Sequence, residues 1–226
     1  MTDSTLTEIA VILDRSGSMA AIRADMEGGF GHFAAAQRKL PGRCVFSLYQ
    51  FDNTFEVVYE EVPASDVPPL VIQPRGGTAL LDAMGYAMTR IGGRLAGKPE
   101  HLRPGAVIVQ TITDGQENSS REYGYPAIAN FIRRQQSQYN WQFMYLGSDV
   151  STVSEASKLG IYTVSQMAPT RQGINDMYLQ CSSAIGSYRS AVFNGTTGAS
   201  LSFTDDKTTG IDNAIPMVIR TDPQST

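Results

Sequence analysis

The sequence predicts an α/β fold: a doubly wound, mostly parallel sheet with one antiparallel edge strand and helices on both faces. Three observations carry that expectation. Short runs that are apolar almost throughout, such as Ile9–Leu13 and Ala106–Thr113, suit strands buried on both faces. Segments with apolar residues at helical spacing alternate with those runs, the pattern of a parallel sheet with crossover helices. One run, Thr54–Glu61, instead places Phe55, Val57 and Tyr59 at every second position, as an edge strand does.

Each element has its own signal. Ile9–Leu13 is the first strand. Residues 19–40 read as a helix, because Ile22, Met26, Phe30 and Phe33 fall on one face and Pro41-Gly42 stops it. Cys44–Phe51 and Thr54–Glu61 flank Asp52-Asn53, a hairpin signal. Residues 62–77 hold four prolines and paired glycines, so they form a loop. A helix over about 79–95 presents Leu81, Met84, Met88, Ile91 and Leu95 on one side. Ala106–Thr113 is the fourth strand. Tyr125–Tyr139 is a helix with Pro126 in its first turn, where proline is tolerated. Trp141–Leu146 and Ile161–Val164 are strands around a short helix, Val153–Leu159, which Gly160 ends. Residues 171–190 form a long helix striped by Ile174, Tyr178, Cys181, Ile185 and Tyr188.

These elements make one domain over residues 6–190. From 191 to 226 Gly, Ser, Thr and Asp dominate, and Asp205, Asp206, Asp212 and Asp222 outnumber Lys207 and Arg220. This extension is either a solvated tail or a segment that docks on its own domain or a partner. Phe193, Leu201, Phe203 and Ile211 are its natural anchors.

Bulk properties exclude several functions. The 226 residues are 42% hydrophobic, enough for one large core. A net charge of −4 leaves no basic surplus for nucleic acid. Cys44 and Cys181 have neither zinc nor redox spacing. Buried free thiols are expected, with a disulfide as the alternative. The start, Met1-Thr2-Asp3-Ser4, carries no signal segment, and no apolar run approaches the ~20 residues that span a bilayer. The expected compartment is the cytoplasm, away from membranes. His32 and His101 lie in unrelated segments. No phosphate-binding Gly-x-x-x-x-Gly-Lys loop is present, and Gly147-Ser148-Asp149 is not a nucleophile elbow.

The chemistry-bearing residues are oxygen donors. Asp14-Arg15-Ser16-Gly17-Ser18 follows the first strand, Gly76-Gly77-Thr78 ends the proline-rich loop, and Thr113-Asp114-Gly115 ends the fourth strand. Asp14, Ser16, Ser18, Thr78 and Asp114 form an all-oxygen set that suits Mg²⁺, Mn²⁺ or Ca²⁺ rather than zinc. In a sheet ordered 3-2-1-4-5-6, the first and fourth strands are neighbours at the switch point, so both carboxylates open into one crevice. Singly, each residue has a plainer role. Ser16, Ser18 and Thr78 are favoured helix N-caps, and Asp114-Gly115 is an ordinary turn. Arg15, Gly77, Asp82, Gly115 and Glu117 rim or back the set. Asp82 either braces the Thr78 loop or simply answers a helix dipole. Glu117 and Glu122 either edge the crevice or solvate a loop.

The Asp14-x-Ser16-x-Ser18, Thr78 and Asp114 motifs resemble the metal-ion-dependent adhesion site of von Willebrand factor A domains, over roughly residues 6–190. The phrases Leu13–Met19 and Ile112–Tyr123 are similar to compact intracellular A domains of bacteria and their phages, to which tellurite-resistance A-domain proteins are related. The resemblance implies a Rossmann-like fold and a Mg²⁺-class ion on those five residues, in part through water. It also implies one open position for an Asp or Glu of a protein partner. The leading expectation is therefore a metal-dependent protein-binding module, not an enzyme. One alternative is a metal-dependent hydrolase, for which Glu117 is the only plausible base. The other is an assembly protein acting through the C-terminal extension. The sequence leaves the partner and the oligomeric state open.

Overall fold

The computed structural model describes residues 1–148 and 151–203. Asp149, the acidic residues from Asp205 onward, Lys207, Ile211 and Arg220 lie outside the described residues. Six strands form one sheet: β1 (Asp3–Asp14), β2 (Arg43–Phe51), β3 (Phe55–Pro63), β4 (Pro104–Thr113), β5 (Gln142–Gly147) and β6 (Thr163–Gln166). Their order is β3-β2-β1-β4-β5-β6. Every pairing is parallel except β2 with β3, so the antiparallel edge lies where the alternation of Phe55, Val57 and Tyr59 put it.

Five helices cover the sheet: α1 (Arg23–Arg38), α2 (Leu80–Ala96), α3 (Tyr125–Tyr139), α4 (Thr152–Lys158) and α5 (Arg171–Phe193). Successive residues of β1 point to opposite faces. Ile9, Val11 and Leu13 join one core with Met26, Phe30 and Phe33 of α1 and Tyr178, Cys181 and Ile185 of α5. Ala10 and Ile12 join the other with Leu81, Met84 and Met88 of α2, Ile128 of α3 and Ala156 of α4. Each fully buried Phe, Leu or Met contributes ~1.5–3 kcal/mol, so these two cores fix the strand register. Both cysteines are buried free thiols. Among the described residues, no helix is long and apolar enough to cross a membrane.

β1 starts at Asp3, six residues before the expected Ile9, and β6 lies two residues beyond Ile161–Val164; two further segments differ in kind. The helix expected over 19–40 is divided. A 3₁₀ turn, Gly17–Ala21, precedes α1. Met19 N–H donates to Ser16 O and Ile22 N–H to Met19 O, so the chain turns tightly behind Ser16. The α-helical bonds begin only with Met26 N–H to Ile22 O. The long C-terminal helix runs on to Phe193, and Phe193 stays 42% exposed rather than anchoring. Beyond it the chain is irregular to residue 203. Leu201 is buried, and its backbone N–H donates to Gln142 Oε1 at 3.0 Å while its carbonyl accepts from Thr163 Oγ1 at 2.9 Å. Phe203 packs beside it on the α1/α5 core.

Candidate metal centre

Asp14 is the last residue of β1, and Asp114 follows β4 directly. Leu13 pairs with Ile112 across the two strands, so both carboxylates emerge at the same end of the sheet. This is the switch point where the crossovers leave in opposite directions. The chain is linked there through side chains. Ser18 Oγ donates to Asp114 Oδ1 at 2.6 Å, and Ser16 Oγ lies 3.0 Å from Ser18 Oγ. Ser16 N–H donates to Asp14 Oδ1 at 2.6 Å. A β-carbon on Gly115 would lie 3.3 Å from Thr78 Oγ1 and 3.7 Å from Ser18 Oγ, so both hydroxyls crowd the same point of the third loop. The five oxygen-bearing residues thus meet at one place, from three loops.

The capping roles are not the ones adopted. Ser16 precedes the 3₁₀ turn without a side-chain capping bond, and Ala79, not Thr78, is the N-cap of α2. The two serine hydroxyls are therefore left to bond each other and the carboxylates.

Burial dominates the electrostatics of the two carboxylates. Asp14 is fully buried. Burial pushes its carboxyl up to about 6, against the hydrogen bonds from Thr113 and Ser16, and the neighbouring Asp114 charge raises it further. Burial also raises Asp114, opposed by the hydrogen bond from Ser18. Two carboxylates and three hydroxyls with no ammonium or guanidinium among them suit a hard dication. Among the described residues, no cluster of three or more His, Cys, Asp or Glu exists to offer a softer or more charged set.

The flanking residues divide by what they touch. Arg15 is buried, and its guanidinium binds Asp52 at 2.9 Å and Glu56. Gly77 N–H donates to Asn53 Oδ1 at 2.7 Å, and a β-carbon on Gly77 would strike Ser119 Oγ. Glu117 does not edge the crevice as a free carboxylate. It accepts from Leu81 N–H, Ser119 N–H, Ser120 N–H and Ser120 Oγ, clasping the start of α2. Asp82 braces residues 121–123 rather than the Thr78 loop, accepting from the N–H groups of Arg121, Glu122 and Tyr123. Both are carboxylates at the N-terminal turn of α2, where the dipole also favours them.

Four supporting residues escape a motif reading. Thr113 Oγ1 donates to Asp14 Oδ2 at 2.7 Å. Asn118 Oδ1 accepts from Thr78 N–H at 2.9 Å, while its own N–H returns a bond to Thr78 O. Asp52 and Asn53 read only as a hairpin turn. Thr113 and Asn118 lie within the phrase that ends β4, which was their one available signal. His32 and His101 are both exposed, one on α1 and one in a separate 3₁₀ turn.

No family model and no curated protein matches the sequence. Solved structures match in fold. One is a von Willebrand factor type A protein from Catenulispora acidiphila, with a TM-score of 0.54 and 19% identity over 79% of this chain and 42% of that one. Another is proximal thread matrix protein 1 from the mussel byssus, with zinc in its metal-ion-dependent adhesion motif. Its TM-score is 0.57 at 17% identity, over 81% of this chain and 47% of that one. The chain therefore has the von Willebrand factor A fold, and its match spans less than half of either of those longer chains.

Proposed function

We propose, taking the von Willebrand factor A fold as the premise, that this chain is a divalent-cation-dependent protein-binding module. The observation that carries the reading is the convergence of three loops on one donor set, marked by the 2.6 Å bond from Ser18 to Asp114 across 96 residues. In this reading Ser16, Ser18 and Thr78 supply neutral oxygens, and Asp14 and Asp114 supply the charge. Two carboxylates at most neutralise a dication. A bound Mg²⁺-class ion (Mn²⁺ or Ca²⁺ being the other hard candidates) would supply positive charge and an open position for a partner's Asp or Glu. The zinc-occupied motif of the byssus protein supports a divalent ion in general.

Binding is favoured over hydrolysis by what Glu117 does. A hydrolase needs a base beside the ion, and both oxygens of Glu117 are engaged by four donors. A reducing compartment such as the cytoplasm fits two buried free thiols. The assembly reading draws only on the docking of residues around Leu201, which are seated on this chain's own core.

The test is selection of displayed peptides on the immobilised chain in Mg²⁺, followed by elution with EDTA. Selected sequences should share an Asp or Glu whose change to Asn or Gln abolishes binding, and Asp14→Ala should capture none of them. Ligands that stay bound in EDTA, or that tolerate loss of every carboxylate, would overturn the reading.

A further inference from the structure

We infer that Asp52 is a positioning residue for the cation site, clamping the loop that carries Asp14 and Ser16 to the loop that carries Thr78. The inference rests on the site reading above and deepens it.

Asp52 sits in the β2–β3 turn with its side chain 4% exposed. Its Oδ2 accepts from Arg15 Nε at 2.9 Å and from Arg75 Nε at 2.7 Å. Arg15 stands between Asp14 and Ser16, and Arg75 stands three residues before Thr78. One carboxylate oxygen therefore holds an arginine from each of these two loops. The other oxygen, Oδ1, is fixed by Thr54 N–H and Oγ1, both at 2.8 Å, so the carboxylate is held in place.

The backbone follows the same plan. Arg15 N–H donates to Phe51 O at 2.8 Å, Arg75 N–H to Arg15 O at 2.9 Å, and Ala79 N–H to Asp52 O at 2.9 Å. Gly17 N–H reaches Gly76 O at 3.3 Å. Gly76 has φ +67, and a β-carbon there would strike Asn53 Oδ1, so only glycine lets the second loop lie against the turn. Ser16 and Thr78 have short side chains. Rotation about χ1 carries each hydroxyl only among staggered positions around its own Cα, so the backbone sets the region it can reach, and a metal site tolerates ~0.5 Å of misplacement. Asp52 thereby sets the distance between the two backbones that present those hydroxyls.

The experiment is titration of metal-free protein with MnCl₂ by calorimetry. The wild type is compared with Asp14→Ala, Asp52→Asn, Arg75→Gln, Arg75→Lys and Glu60→Gln. Asp52→Asn keeps the Thr54 contacts but loses the charge. Arg75 is more than half exposed, so its variants test the clamp without threatening the fold. Asp52→Asn and Arg75→Gln should each weaken Mn²⁺ binding by ~10–100-fold, the usual scale for groups that orient a metal ligand. Arg75→Lys should restore most of it. Glu60→Gln breaks a comparable ion pair with Arg90 farther along β3, and should leave Mn²⁺ affinity within about two-fold. If Asp52→Asn does not fold, the Arg75 pair decides. Wild-type affinity in Arg75→Gln and Asp52→Asn, with binding lost in Asp14→Ala, overturns the clamp and leaves the site reading intact. No Mn²⁺ binding by the wild type overturns both.

Discussion

Asp14→Asn should make the metal-free protein more stable while abolishing its response to metal. Asp14 is fully buried, and its carboxyl lies at about 6 against an ordinary 3.8. The folded state thus binds this proton more tightly than the unfolded chain does. The associated stability is fully present below about pH 4, and is lost as the pH rises through about 6. A gap of roughly two pH units corresponds to about 3 kcal/mol at pH 7.5. Asparagine resembles the neutral acid and escapes that loss. Its amide oxygen can take the Ser16 N–H, and its NH₂ can donate to Thr113 Oγ1. That hydroxyl then turns to Gly115 O, already 3.1 Å away. We expect the variant to be ~2–3 kcal/mol more stable than the wild type in EDTA at pH 7.5, or ~4–12 °C in Tm for a domain of this size. The advantage should vanish near pH 4. Saturating Mg²⁺ should stabilise the wild type alone and close the gap, since a ligand at 100 times its Kd adds about 2.7 kcal/mol. The assay is thermal and urea unfolding in EDTA and in Mg²⁺ across pH 4–8. A variant no more stable than the wild type at pH 7.5 would refute the account of Asp14 as a carboxylate held for a cation. A variant whose Tm still rises with Mg²⁺ would refute its role as a ligand.

Thr78→Val keeps the shape and removes the hydroxyl, so calorimetry should show Mg²⁺ binding weakened at least ten-fold with Tm within a few degrees of wild type. Glu117→Gln aims an NH₂ at one of the four donors the carboxylate now accepts. Urea unfolding should register a loss of ~1–3 kcal/mol. Leu201→Asp places a charge in the α1/α5 core and should destabilise by more than ~3 kcal/mol, whereas the exposed Phe193→Ala should cost under about 1 kcal/mol.

The order of the strands was readable because hydrophobic period reports burial. Ile9–Leu13 and Ala106–Thr113 are apolar on both faces because helices cover both; on the edge strand β3, Phe55 and Val57 pack on the α2 side, and a register shift sends Tyr59 to the α1/α5 core. Crossover handedness and short connections then leave few ways to arrange six strands. The site was readable for a related reason. Asp14 and Asp114 end adjacent parallel strands, so their meeting follows from topology and needs no detail of side-chain packing.

The sequence by itself determined the fold class, the strand order and that Asp14 and Asp114 end neighbouring parallel strands. Tertiary structure alone decided what each neighbouring charge does. Arg15, Asp82 and Glu117 stand next to the donor set in sequence, yet each spends its charge elsewhere: Arg15 on Asp52, 37 residues away; Glu117 on α2, 36 residues back; Asp82 on the loop at residues 121–123. The same holds for the tight turn after Ser16 and for Asp52, whose place between two loops no local pattern announces. Burial and chain direction are averages over a segment, so composition and period record them. The partner of a single charged group is set by ångström-scale distances between segments far apart in the chain, and those exist only once the sheet has fixed its register.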